Sequence, residues 1–322
     1  MPRWRFGYHR GMARARALVS AVLLLAMLAA GCRDGGSTTP PASETPEEAV
    51  ATWRAKHEAD YRREWVSIAG LHLLQPGVST AGSAPSSDIV LPSSAPAAVG
   101  TFELKDDRVR FVPAAGVNVM LKDKPVIGPL VLRDDRERGA DELSIGDVRI
   151  VIHASGDRLS VRVRDPNGPL AKGFLGFSWF PIDASYRVTG RLIRDAQPQE
   201  LTVLNTYGDE DQYKTEGIVE FTLRGQTLRL RPFTTRPGRL YFVFRDASSG
   251  EETYATARFL YADLQDDDTT VLDFNMAYNP PCAFNPYTTC PVPLRENRLP
   301  VKVLAGEKAY PVEVKPPSEL AR

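Results

Sequence analysis

Between residues 101 and 274 apolar and polar side chains alternate with a period of two, in short runs separated by tight turn sequences. Thr101–Leu104 and Arg108–Val112 flank Asp106-Asp107. Val148–His153 and Arg158–Arg164 flank Ser155-Gly156-Asp157, and Val219–Leu223 and Thr227–Arg231 flank Arg224-Gly225-Gln226. A period of two is the strand period, and such runs joined by Gly- and Asp-bearing turns are hairpin signals. Leu240–Arg245, Thr253–Leu260, Val271–Phe274 and Val301–Leu304 add further strand runs. The expected fold is mainly β: antiparallel sheets in sandwich- or barrel-like packing, with one N-terminal helix and room for two β subdomains. That helix is signalled by Thr45, Pro46 and Glu48, a capping box with proline at the first helical position. Val50, Trp53, His57, Tyr61 and Trp65 then recur at three- and four-residue spacing, which makes one apolar stripe.

Composition excludes several classes. With 43% apolar and 25% charged residues in 322, the chain has the makeup of a folded protein. Forty basic against forty acidic residues leave no global footprint for nucleic acid. Three cysteines cannot staple a disulfide-dense scaffold, and four histidines are too few for a multi-histidine metal site. No Gly-x-Ser-x-Gly elbow, His-Glu-x-x-His, phosphate loop or dinucleotide glycine pattern occurs. No cofactor, metal or nucleic acid is therefore expected. Of the histidines, His57 on the stripe and His72 in an apolar segment read as packed core residues, and His153 as an exposed strand end.

The N-terminus points to a compartment. Residues 1–31 hold five arginines and no acid, and Ala17–Ala30 is apolar except for Ser20. That run falls short of a membrane span of ~20 residues and suits a secretory signal. It ends in Leu28-Ala29-Ala30-Gly31-Cys32, which resembles the bacterial lipobox. The resemblance implies cleavage after Gly31, lipidation of Cys32 and a membrane anchor. Arg33 after the cysteine implies the outer membrane in a Gram-negative host, with the protein facing the periplasm. The expected layout is a signal peptide over 1–31, a Gly/Ser/Thr/Pro tether over 32–46, a helix with a small β-sandwich over 47–153, and a C-terminal β subdomain over 154–322. Loss of residues 1–31 gives the mature chain an excess of five acids.

About 25 residues after Asp273 lack periodicity and are rich in proline, and loops of that length are functional or specially braced. Cys282 and Cys290 are a disulfide candidate worth about 2.6 kcal/mol in the chain-entropy model, with free thiols and a metal pair as alternatives. Asp273, Asn275, Tyr278, Asn279, Arg298, Glu307 and Lys308, with Tyr254 and Arg258 on the strand run Thr253–Leu260, make a charged and polar cluster. Two readings stand side by side: a site for an anionic or polyhydroxylated ligand, and an internal ion-pair network that fixes the loop. The leading function is non-catalytic binding of a small molecule or envelope component. The alternatives are a hydrolase with Asp273 and Glu307 as acid and base beside Arg258 or Arg298, and a purely structural lipoprotein. Phe174, Phe177, Trp179 and Phe180 read as core packing more readily than as a stacking site.

Two resemblances follow. Gly82-Ser83, Asp88–Pro92 and the hairpins after them are similar to the small sandwich of forkhead-associated modules. Ser83 stands where those modules carry a binding arginine, and no histidine lies between His72 and His153, which argues against phosphopeptide binding. More specifically, Asp273-Phe-Asn275, Tyr278-Asn279-Pro280-Pro281-Cys282, Cys290-Pro291, Asn297-Arg298-Leu299 and Ala305–Lys308 resemble the bacterial domain of unknown function 1684 family. Gly70-Leu71-His72, Arg164-Asp165-Pro166 and Ser249–Tyr254 extend that likeness over roughly Trp53 to Lys308. It implies no activity, cofactor or catalytic residue.

Overall fold

The computed structural model describes residues 44–318 and Leu320. The expected signal peptide, Cys32 and the tether up to residue 43 lie outside the described residues. Helix α1 (Pro46–Tyr61) begins as its sequence dictates. The Thr45 hydroxyl accepts from the Glu48 amide at 3.2 Å, and the Glu48 carboxylate accepts from the Thr45 amide at 2.8 Å. One wider turn, Arg62–Val66, carries the helix into strand Ile68–Leu73.

The remainder is mainly β, and among the described residues no sheet closes into a barrel. A six-stranded sheet runs in the order Ile68–Leu73, Arg158–Arg164, Val148–Ser155, Glu142–Ile145, Met120–Leu121, Lys124–Pro125. A five-stranded sheet runs Ile89–Val90, Gly77–Gly82, Gly100–Lys105, Arg108–Pro113, Leu130–Leu132. The pair of sheets encloses one core, with Phe102 and Phe111 from one side and Ile150, Ile152, Val161 and Val163 from the other. Strand Arg108–Pro113 shows why: Val109 and Phe111 point inward while Arg108 and Arg110 face water.

A second core lies between a four-stranded sheet (Gln226–Leu230, Glu210–Leu223, Arg187–Leu204, Thr269–Asp273) and a three-stranded one (Phe233–Arg236, Arg239–Phe244, Arg258–Asp263). All pairings but Gly77–Gly82 with Ile89–Val90 are antiparallel among the named strands.

Three expectations need correction. The boundary at 153/154 falls inside strand Val148–Ser155, and the first core draws side chains as far as Val163. The run Thr253–Leu260 becomes a strand only at Arg258, because Ser248–Thr253 fold into a turn in which the Ser248 carbonyl accepts from the amides of Glu251, Glu252 and Thr253. Tyr254 and Arg258 therefore do not share one strand face. Val301–Leu304 forms no strand; its backbone is spent on single contacts, the Ala247 amide to the Val301 carbonyl and the Val303 amide to the Asp246 carboxylate.

Helix α1 does not join the first sandwich. Trp53 and Tyr61 pack with Tyr278 and Phe259, and Arg54 donates to the carbonyls of Asn275 and Phe180, each at 3.0 Å.

Candidate functional site

The Pro-rich segment is held in place almost residue by residue, and asparagine side chains do most of the holding. A chain without a ladder must still satisfy its backbone amides and carbonyls. Asp273 caps the short turn Phe274–Met276 by accepting from the Asn275 amide, and the Asn275 side chain exchanges bonds with both the amide and the carbonyl of Asp183. Asn285 donates to the Ile68 carbonyl at 2.8 Å, tying the segment to the first sandwich. Asn297 exchanges bonds with the backbone of Arg231 and donates to the Val243 carbonyl. Tyr278 pairs with Phe259 through both backbone groups, while the Cys290 carbonyl accepts from the Thr206 amide and the Cys290 amide donates to the Thr206 hydroxyl.

The structure disperses the expected cluster into separate internal networks. Arg258 is fully buried and ion-paired with Asp246 at 2.8 Å, and it also donates to the carbonyls of Val303 and Ala305. Asp273 pairs with Arg187 at 2.9 Å. Glu307, 2% exposed, accepts from the Asn279 amide at 2.8 Å, while the Asn279 side chain donates to the Lys308 carbonyl. Burial raises the Glu307 carboxyl to about 8, against the Asn279 amide bond, which lowers it. Lys308 sits over the ring of Phe180, and Arg298 is exposed, bridged through its backbone to Arg245. Asp273 and Glu307 thus have different partners, and within the cluster the ion-pair reading fits Asp273 and Arg258 but not Glu307, Arg298 or Lys308.

Gly306 is what lets Glu307 reach its partner. It adopts φ +79°, and a Cβ there would stand 2.2 Å from the Ala277 carbonyl oxygen. Gly306→Ala is expected to lose at least ~2 kcal/mol of stability, read as a lower midpoint in urea unfolding. An unchanged midpoint would contradict this close approach.

His57 lies in an aromatic enclosure: Trp53 stacks on it at 4.7 Å, with Tyr61 at 4.2 Å and Tyr278 at 4.5 Å between ring centres. Desolvation lowers it to about 4 despite Asp60 nearby, so it is neutral near pH 7. The packed reading of His57 holds. Phe174 and Phe177 also pack as expected, against Phe284 and Tyr310, and Trp179 donates to Glu58.

What the Pro-rich segment does form is a wall of a cleft of about 420 Å³. Tyr254, Tyr207, Cys282, Asn285 and Thr288 face it, and residues 313–316 close one side. The polar groups contributed by the Pro-rich segment and by residues 205–207 are neutral, and the two charges on the rim, Glu313 and Lys315, lie 3.7 Å from each other. The Tyr254 hydroxyl interacts with the Thr256 side chain and makes long contacts of 3.4 Å to the Cys282 carbonyl and 3.7 Å to the Cys282 sulfur. Cys282 and Cys290 are free, buried thiols whose side chains interact, and burial pushes the Cys282 thiol up. A larger hollow of about 570 Å³ is walled by the single loop Leu121–Leu130, whose charged residues are the sequence neighbours Lys122, Asp123 and Lys124. Among the described residues no group of three or more His, Cys, Asp or Glu is placed to hold a metal.

Sequence reasoning missed His153. It is buried, not exposed: Nδ1 lies 2.6 Å from Asp135 and Nε2 2.9 Å from the Thr289 hydroxyl. Nothing local signals this, since the three residues are far apart in the chain.

Residues 172–308 match the family model described as protein of unknown function (DUF1684). An uncharacterized protein of Haloarcula marismortui, solved by NMR, is 32% identical over 45% of this chain and 82% of its own, with a TM-score of 0.37. An FHA domain studied for phosphothreonine-dependent interactions is 14% identical over 30% of this chain and 93% of its own (TM-score 0.21). EmbR of Mycobacterium tuberculosis, in complex with a low-affinity phosphopeptide, is 15% identical over 36% and 30% (TM-score 0.21). No curated protein matches the chain.

Proposed function

We propose that this chain, whose residues 172–308 belong to the DUF1684 family of proteins of unknown function, is a lipid-anchored cell-envelope protein that binds a small, uncharged, partly apolar ligand beside its Pro-rich segment. The observation that carries the reading is the convergence of Tyr254 and Cys282 with Tyr207, Asn285 and Thr288 on one cleft of about 420 Å³. That volume is in the range of small-molecule sites, which combine apolar walls with a few polar groups. Arg258 is paired with Asp246 inside the protein and Asp273 with Arg187 away from this cleft, so neither offers it a free charge. Braced by its asparagines, the wall is pre-formed, and a ligand would pay little to order it.

Anchoring rests on the lipobox-like Leu28–Cys32 and the arginine-rich segment before it. The protein then faces the periplasm, at the outer membrane of a Gram-negative host, and the neighbouring thiols of Cys282 and Cys290 close to a disulfide in that oxidising setting. Cys32→Ser should abolish acyl labelling and release the protein from the membrane fraction.

Ligand binding is tested by thermal shift against neutral sugars, nucleosides and small aromatic amides. A saturable rise in Tm with a hit is expected, reduced at least tenfold in apparent affinity by Tyr254→Ala. A hit whose affinity ignores Tyr254→Ala, or silence across the panel, would overturn the cleft as the binding site.

A further inference from the structure

A second contact between the first sandwich and the Pro-rich segment has the chemistry of a nucleophilic site. Asp135 Oδ2 lies 2.6 Å from His153 Nδ1, and Thr289 Oγ lies 2.9 Å from His153 Nε2. With the carboxylate fixing the proton on Nδ1, Nε2 is left as the acceptor facing the hydroxyl. The Ala154 amide donates to the other Asp135 oxygen at 3.0 Å and holds that carboxylate in register. Carboxylate, imidazole and hydroxyl in this order can activate the hydroxyl, and the arrangement recurs on unrelated folds.

A carbonyl seat lies in the same place. Leu320 packs in an apolar cup with Leu71, Leu73 and Tyr207, and its carbonyl accepts from Arg158 Nη2 at 3.0 Å. A residual space of about 10 Å³ is bounded by Leu320, Arg158 and Thr289 together. The same Arg158 Nη2 also donates to the Asp209 carboxylate at 2.7 Å, which fixes the guanidinium in place. An aliphatic side chain in a cup, its carbonyl on a guanidinium, and an activated hydroxyl on the wall are the parts that an acyl group needs for transfer.

We propose that Thr289, His153 and Asp135 form a hydrolytic site for short aliphatic carboxylic esters, with Leu320 seated where the acyl group binds. Thr289 Oγ attacks the ester carbonyl carbon while His153 Nε2 takes its proton, and the carbonyl electrons collect on an oxygen facing Arg158. The C–O bond to the alcohol then breaks, and the departing oxygen takes the proton from His153. Water, deprotonated by the same nitrogen, hydrolyses the acyl-threonine and restores the hydroxyl. Thr289 and His153 are the catalytic residues; Asp135 positions the imidazole.

The site is distinct from the ligand cleft. Thr288 faces the cleft, whereas Thr289 faces the Leu320 cup. The two can fail separately. The test uses the full chain with p-nitrophenyl butyrate, and a fluorophosphonate probe followed by peptide mapping. Hydrolysis and a probe adduct on Thr289 are expected, both at least tenfold faster in Leu320→Ala, which opens the cup. Thr289→Val, which keeps the shape without the hydroxyl, and His153→Gln should each reduce hydrolysis by 100-fold or more. Thr289→Ser should retain it. Asp135→Asn should lower kcat with KM unchanged, a split that a bracing role would not produce. If Leu320→Ala shows neither turnover nor adduct, or if turnover survives in Thr289→Val, the proposal falls.

Discussion

Arg258→Met is expected to destabilise the protein by ~3–5 kcal/mol, the cost of leaving a buried charge without its partner. Asp246 would keep its bonds from Ser248 and the Val303 amide but lose the only cation it contacts in the described structure. The carbonyls of Val303 and Ala305 would lose their charged donor in the same step. Both side chains of the pair have no exposure to solvent, so neither water nor salt relieves the loss. Methionine fills much of the volume, which separates the electrostatic loss from a cavity. Urea unfolding should show a lower midpoint with an unchanged slope. Adding Asp246→Asn to Arg258→Met should recover part of the loss, because the orphaned charge is gone. A single variant less than 1 kcal/mol below the wild type would show that the pair is not what holds residues 303–305 to the sheet.

The second large effect is in the pH dependence of stability. His57 is held at about 4, below its unfolded value near 6.5, so the unfolded chain binds the extra proton between those limits. Stability from His57 is therefore present above pH 6.5 and lost as the pH falls toward 4. Glu307 has the opposite sign. Its folded value of about 8 lies above an unfolded 4.5, so the native state binds the extra proton. That contribution is complete below pH 4.5 and lost as the pH rises to 8. From these two groups the curve rises between pH 4 and 4.5, is level to 6.5, and falls by ~2 kcal/mol up to pH 8, at ~1.4 kcal/mol per pH unit. Glu307→Gln, which keeps an acceptor for the Asn279 amide, should remove the fall. His57→Phe should extend it downward to pH 4.5. A Glu307→Gln variant with the wild-type slope between pH 6.5 and 8 would assign the fall to another group.

The strands were legible because they obey a local rule. Val109 and Phe111 alternate with Arg108 and Arg110, and the turn at Asp106-Asp107 joins them to the preceding strand. The helix start was legible for the same reason, since Thr45 and Glu48 satisfy each other within one turn. What was not legible depends on distant partners. Val301–Leu304 has a strand's composition, but its backbone meets Ala247, Asp246 and the Tyr186 hydroxyl instead of a neighbouring strand. The members of the polar cluster were identified as a group, yet their pairing was not. Asp246 takes Arg258 and Arg187 takes Asp273 because the sheets set those distances, and spacing along the chain does not encode them. His153 and Thr289 are 136 residues apart and meet where Asn285 pins the Pro-rich segment to the first sandwich and Thr206 bonds Cys290.

Helix α1 comes first in the described chain, but the groups that receive it come late. Arg54 donates to a carbonyl 221 residues further on, and Trp53 and His57 pack against Tyr278. Contacts of such separation form only after much of the chain has been ordered, because closing the loop costs entropy before the contact repays it. The first sandwich can assemble from hairpins while the helix has nothing to dock on. The helix at the head of the described residues is then expected among the last parts to settle, and docking of its aromatic face onto Tyr278 should register in the combined fluorescence of Trp53 and Trp179, whose rings lie 6.0 Å apart.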